Sequence, residues 1–222
     1  MTIPKLLLEV QNRRSDIIQL TSDLIKIPTI NPPGTNYREI CEFLSKRLKK
    51  SGFDVDIIRA KGALADTDKY PRFNLVARHE GTYSGPCIHF NSHIDVVDTG
   101  HGWTRDPFGG SIEGDKIFGR GSCDMKGGLA SSIVAAEVFI SIFPKYYGAI
   151  EISATADEET GGYGGVAWLA EKGYFNPKKV QSVIIPEPLN KDRICLGHRG
   201  VWWSEIETKG RVAHGSMPCL LY

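Results

Sequence analysis

The chain has 222 residues, and its 27 Lys+Arg against 26 Asp+Glu leave a formal net charge of +1. That balance offers no basic surface to nucleic acid or to an anionic membrane, and no apolar run reaches the ~20 residues needed to span a bilayer. The length suits one full domain and the start of a second. Five cysteines, at positions 41, 87, 123, 195 and 219, form no C-x-x-C pair. Reduced thiols in a cytoplasmic protein fit that scatter better than a disulfide framework. The N-terminal apolar patch lacks the core and cleavage site of a signal peptide.

Residues 15–27 carry Ile17, Ile18, Leu20, Leu24, Ile25 and Ile27 at helical spacing. Ser15 or Asp16 is placed to cap this helix, and Pro28 ends it. Asn31-Pro32-Pro33-Gly34 reads as a turn-rich loop. A second amphipathic helix is predicted over 37–51, with Gly52 as its C-terminal stop. Strands follow over 53–59, 74–79 and 87–94, then a long loop over 96–110 of the kind that usually serves function. A tight hairpin over 112–118 turns at Gly114-Asp115. The stretch 125–143 has almost no polar face and predicts a buried helix. A strand over 149–156, a helix over 164–172 and a strand over 182–185 complete the series. Helices alternating with apolar strands indicate an α/β layered fold. Near Gly200 the texture changes, and 201–209 alternates like a strand of an exposed sheet. The expected division is therefore a domain over 1–198 and the beginning of another over 199–222.

Acidic residues and one histidine recur where apolar strands end. His93 and Asp95 close the third strand, Asp124 sits in a Gly-rich turn before the buried helix, Glu158 and Glu159 follow the next strand, and Glu187 the last. Nitrogen and carboxylate oxygen are the donors that zinc takes, and a paired site needs a carboxylate able to bridge two ions. In that reading His93 supplies the nitrogen, Asp124 the bridge, and Glu159 and Glu187 one oxygen each. Asp95 is left to orient His93, and Glu158 is a spare carboxylate for activating water. Each residue also has a plain reading: a structural histidine, a helix cap at Asp124, a solvated Glu158-Glu159 loop, a surface turn at Glu187. Their joint placement at consecutive strand ends favours the site. His89 and His101 are read as structural or solvent-facing. The run Gly162–Ala167 fits G-x-G-x-x-A, but Asp157, Glu158 and Glu159 stand where a pyrophosphate would sit, so a dinucleotide site is rejected.

HIDVV, GRGSCDMKGG, ATADEETGG, the Glu of IIPEP, and GHRG…W…KGRVAHGSMP together resemble the M20 metallopeptidase family, within it most the acetylornithine deacetylase and succinyl-diaminopimelate desuccinylase branch. The resemblance implies a zinc-peptidase-like mixed sheet flanked by helices, with an inserted α+β dimerisation (lid) domain that begins here. It implies two Zn2+ (or Co2+) ions per complete subunit, His93 and Glu187 on one, Asp124 bridging, Glu159 on the other. Glu158 is then the general base and acid. His214 matches the histidine that stabilises the oxyanion in the partner subunit of a homodimer. The implied reaction is hydrolysis of the amide of an N-acyl amino acid, such as N-acetylornithine or N-succinyl-diaminopimelate, by a metal-bound hydroxide. A cis peptide bond after Asp124 is implied as well. A peptidase of the same family acting on dipeptides or C-terminal residues, and a non-catalytic binding protein that keeps the fold, are the alternatives. The family runs to about twice this length and supplies a further His ligand late in the chain, so a truncated product, inactive or weakly active by itself, is expected.

Overall fold

In a computed structural model, residues 3–190, 192–197, 200, 202, 204–210 and 216 are described. Two units divide the chain, Met1–Pro188 and Leu189–Tyr222. The first holds every helix and strand of the described residues: α1 (Ile3–Asn12), α2 (Arg14–Ile25), α3 (Tyr37–Lys50), β1 (Asp54–Arg59), β2 (Phe73–Glu80), β3 (Tyr83–His93), β4 (Ser111–Glu113), β5 (Lys116–Phe118), α4 (Lys126–Ile142), β6 (Tyr147–Thr155), α5 (Val166–Glu171) and β7 (Val180–Ile184). Among the described residues of the second unit there is no helix or strand. The strand expected over 201–209 is therefore not seen in its described part, where Trp202 and Ile206 are largely exposed. A strand forms only where a neighbour takes its backbone hydrogen bonds, and sequence alternation supplies no neighbour.

Five strands form one mixed sheet in the order β1-β2-β6-β3-β7. The β1–β2 and β2–β6 pairs are antiparallel, whereas β6–β3 and β3–β7 are parallel. A parallel neighbour cannot be reached by a hairpin; between β3 and β6 the chain instead makes α4, whose apolar surface packs on the sheet. Leu129, Ile133, Val134 and Val138 of α4 are fully buried with Leu24, Ile40, Leu44, Leu48 and Leu75. Each such side chain contributes about 1.5–3 kcal/mol by leaving water.

The end of α3 follows the sequence closely. Gly52 takes φ +88°, and the N–H groups of Gly52 and Phe53 return to Lys49 O (3.1 Å) and Leu48 O (3.0 Å). The start of α2 does not. No side chain caps it, because the helix begins at Arg14 and Ser15 and Asp16 lie inside its first turn; there the Asp16 carboxylate is held by the guanidinium groups of Arg13 and Arg47. Glu137 of α4 joins the same two arginines, tying α2, α3 and α4. Bonds between two ionised groups are roughly twice as strong as a neutral one. Helix α1 was not expected; Leu6 and Val10 hold it against the core. Among the described residues no helix is long and apolar enough to cross a membrane.

The G-x-G-x-x-A run serves packing. A Cβ at Gly165 would lie 1.8 Å from Ala156 O, so only glycine lets α5 start this close to the end of β6. Here Asp157 is buried and accepts from Arg72 Nε (3.0 Å) and Tyr37 Oη (3.1 Å). Both members of the Arg72–Asp157 pair are 3% exposed. Removing one partner of a buried pair leaves the other charge uncompensated, so Arg72→Met should cost about 3–5 kcal/mol in urea unfolding at pH 7. Burial pushes the Asp157 carboxyl up, against the pull of Arg72, so the abandoned acid can neutralise itself by taking a proton. The loss should be clearly smaller at pH 4 than at pH 7.

Candidate metal centre

Strands β6, β3 and β7 are parallel neighbours, so their C-terminal ends lie along one edge of the sheet. Ligands in open α/β sheets bind outside such ends. The residue that ends β3 is His93, β6 leads through Asp157 into a 3-10 turn over Glu158–Thr160, and β7 leads to Glu187. The crossover brings the start of α4, with Asp124 just before it, to the same place. The Asp124–Met125 peptide bond is cis, as the family resemblance implied.

His93 is the centre of the cluster, its side chain 1% exposed. Its Nδ1–H donates to the backbone carbonyl of Asp95 at 2.9 Å, which leaves Nε2 as the outward-facing nitrogen. Nε2 lies 3.0 Å from Asp124 Oδ1, 3.5 Å from Glu187 Oε1 and 3.8 Å from Glu158 Oε2. Two sets of donor atoms fall within 4.8 Å of one another: His93 with Asp124 and Glu187, and His93 with Glu158 and Glu159. Asp124 and Glu159 thus enter different sets. Asp95 differs from expectation in how it acts. Its carbonyl, not its carboxylate, makes the short bond to His93. The carboxylate, fully buried and 3.5 Å from Nδ1, accepts the backbone N–H groups of Glu158 and Glu159, both at 3.1 Å.

The electrostatics are those of crowded acids. Burial, and then the nearby Asp124, Asp95 and Glu158, push the Glu159 carboxyl up to about 7 against the pull of His93. Glu158 is raised too, by burial first and then by Glu187, Asp95 and Asp124, again against His93. Burial alone would lower His93, but its bonds to Asp124, Asp95 and Glu187 outweigh this and lift it to about 12. Asp124 is held below the usual carboxylate range chiefly by His93. The protein on its own thus keeps a proton in a place rich in negative charge. Glu187 Oε2 is buried with no hydrogen-bond partner among the described residues, an expensive state for a carboxylate oxygen. One imidazole nitrogen, several carboxylate oxygens and an orphaned acceptor fit a divalent cation.

A family model for peptidase family M20/M25/M40 matches residues 89–215, more than half of the chain. The chain belongs to this family. Its curated relatives include a probable succinyl-diaminopimelate desuccinylase of Staphylococcus epidermidis, 35% identical over 207 residues, covering 92% of this chain and 47% of the relative. The succinyl-diaminopimelate desuccinylase of Pseudomonas syringae pv. tomato is 32% identical over 213 residues, covering 93% of this chain and 52% of the relative. This M20 chain therefore spans about half the length of the curated relatives it matches. Among solved structures, human carnosine dipeptidase 1 aligns with a TM-score of 0.69 at 21% identity, over 83% of this chain and 41% of the other. A dinuclear metal-binding M20 peptidase of Bacillus subtilis aligns at 0.56 with 16% identity, over 79% of this chain and 43% of the other. At those identities the structural likeness establishes the M20 fold: a mixed sheet flanked by helices.

His93, Asp95, Asp124, Glu158, Glu159 and Glu187 are brought together; His214 lies outside the described residues. His89 is buried in the sheet, bonded to Glu151 (2.6 Å) and Ser153 (2.8 Å), and His101 is exposed. The sequence reading passed over two buried residues. Lys126, two places after Asp124, donates to Leu24 O (3.0 Å) and Ile27 O (2.8 Å) at the end of α2. Burial lowers its ammonium to about 7, with Asp95 opposing. Its signal was a charge at the head of a helix that carries no other charge before Glu137. Asn31 lies in the Pro-rich loop, where turn chemistry is explanation enough for an asparagine.

The raised Glu159 carboxyl has a measurable consequence in metal-free protein. Its folded value, about 7, stands above the ordinary 4.5, so its contribution to stability is complete below ~4.5 and lost as pH rises through ~7. Glu159→Gln removes that loss. With chelator present, the melting temperature of the variant relative to the parent should rise between pH 5 and pH 8. A difference that stays flat contradicts the crowding just described.

Proposed function

We propose that the chain carries the metal-binding part of an amide hydrolase acting on N-acyl amino acids, N-succinyl-diaminopimelate and N-acetylornithine being the first compounds to assay. The observation that carries this reading is the convergence of His93 Nε2 with Asp124, Glu187, Glu158 and Glu159 at the ends of adjacent parallel strands. Similarity to the desuccinylases supports the substrate class.

Zn2+ is the proposed ion, with Co2+ as a substitute; bound there it would supply Lewis acidity at the substrate carbonyl and acidify water. His93, Asp124 and Glu187 would hold one ion. Because Nδ1 is committed to Asp95 O, His93 has a single nitrogen to give, and a second ion would rest on carboxylates, with Asp124 shared and Glu159 as its own ligand. Glu158, half-buried with its carboxyl pushed up, is the proposed general base. It takes the proton of the attacking water and returns it to the amine nitrogen as the C–N bond breaks, giving a carboxylic acid and a free amine. Oxyanion stabilisation by His214, assembly as a homodimer through residues 199–222 and beyond, and a cytoplasmic location rest on the family resemblance.

Calorimetric titration with zinc should give unequal sites, the tighter one lost in Asp124→Ala; two equal tight sites would contradict the assignment. Glu158→Gln keeps size and polarity but cannot take the proton, and general acid–base assistance is worth about 10²–10⁴-fold. In a full-length relative that carries the same residues, hydrolysis of N-succinyl-diaminopimelate by the Glu158→Gln variant should fall by that factor with zinc content unchanged, whereas Glu159→Gln should lower zinc content and regain rate with added metal. The opposite pattern reverses the two roles. Turnover of dipeptides in place of N-acyl amino acids would select the peptidase alternative.

A further inference from the structure

Asn31 is 1% exposed, although it sits in a loop. Its backbone is fixed first. Ile30 forms a parallel bridge with Val96, Asn31 N–H donates to Val96 O (2.9 Å), Val96 N–H donates to Thr29 O (3.0 Å), and Thr29 Oγ1 donates to Ile94 O (2.5 Å). The segment 29–31 is thus fixed by an isolated parallel bridge to 94–96, the stretch that carries Asp95.

The side chain then joins three segments. One amide N–H of Asn31 donates to Asp95 Oδ2 at 2.8 Å and the other to Thr160 Oγ1 at 2.9 Å. Asp95 Oδ2 also accepts from Glu159 N–H, and Oδ1 from Glu158 N–H. The orientation of the amide is fixed by chemistry: an ionised carboxylate only accepts, so Nδ2 must face it. The cost of that orientation is visible, because Asn31 Oδ1 is buried with no hydrogen-bond partner among the described residues. A buried orphan acceptor costs about 1–3 kcal/mol, and nothing in simple packing requires it. The two donors account for it. One holds Thr160 in the turn after β6, and the other holds the buried Asp95 carboxylate, whose remaining short partners among the described residues are the backbone N–H groups of Glu158 and Glu159.

We propose that Asn31 is a positioning residue of the metal centre, its amide clamping the Asp95 carboxylate that in turn fixes the backbone of Glu158 and Glu159. The proposal rests on the metal-hydrolase reading and goes beyond it by tying the loop between α2 and α3 to metal affinity. Partners one step removed from the ligands typically control affinity by 10–100-fold.

The test uses the full chain and Co2+, whose visible spectrum reports coordination. Asn31→Ala should weaken Co2+ binding by about 10–100-fold and change the spectrum, while its circular dichroism stays that of a folded protein. Asn31→Asp has the same shape but turns the donor into a second carboxylate facing Asp95, and should weaken binding at least as much. In an Asp95→Asn background, where the charge to be held is gone, adding Asn31→Ala should change affinity by less than about threefold, since residues that act through one another are not additive. Wild-type affinity in either Asn31 variant overturns the proposal, and so does an undiminished loss in the Asp95→Asn background. If neither variant folds, Asn31 is a structural residue and the proposal fails. If the parent chain binds no Co2+, the metal reading itself fails, a result distinct from all of these.

Discussion

The parallel register of β3 with β6 on one side and β7 on the other is the constraint on which the site depends. His89 pairs with Glu151 and with Val183, Phe90 with Ile152 and with Ile184; β3 and β6 end side by side at His93 and Thr155, β7 stops opposite Phe90, and all three release their loops on one edge. A shift of one residue in β3 would turn His93 to the opposite face. The β6 strand beside it is buried along almost its whole length, which leaves no cheap way to make that shift.

On this edge the molecule concentrates negative charge and then manages it in two ways. Asp95 and Asp157 are structural. Each is buried, and each is held by donors: the first by Asn31 and two backbone N–H groups, the second by Arg72 and Tyr37. Asp124, Glu158, Glu159 and Glu187 instead crowd around His93, with Arg120 acting on Asp124, and the orphaned Glu187 oxygen marks the shortfall among the described residues. Burial first, and then mutual repulsion, push Glu158 and Glu159 up, and a cation would offset both. The same strand end thus carries an acid used for folding, Asp157, directly beside acids available to a ligand.

Stability and chemistry are also joined through the helices. Lys126 couples the start of α4 to the end of α2, and the Arg13–Asp16–Arg47–Glu137 network couples the outer surfaces of α2, α3 and α4. Asp124 precedes α4 and Asn31 follows α2, so the packing of two helices sets the separation between a proposed ligand and a residue proposed to position others. An error of 1 Å in that packing would reach the site directly.

The sequence by itself determined the elements and the candidates. Apolar periodicity located α2, α3, α4 and the main strands, because burial of one face is a local property with a period of 2 or 3.6. Acids at strand ends and the family motifs named His93, Asp124, Glu158, Glu159 and Glu187. Helix α1 was missed, since its apolar residues find their use only against α4 and α2. Tertiary structure alone decided which acids meet. That Asp157 turns to Arg72, that Asp95 grips the Glu158–Glu159 backbone more than the imidazole, and that Asn31 and Lys126 are buried are facts about residues far apart in the chain. Their contacts follow from sheet order and from the crossover through α4. Periodicity records how deeply a side chain is buried; it carries no record of which partner waits there, and for polar groups the partner decides the role.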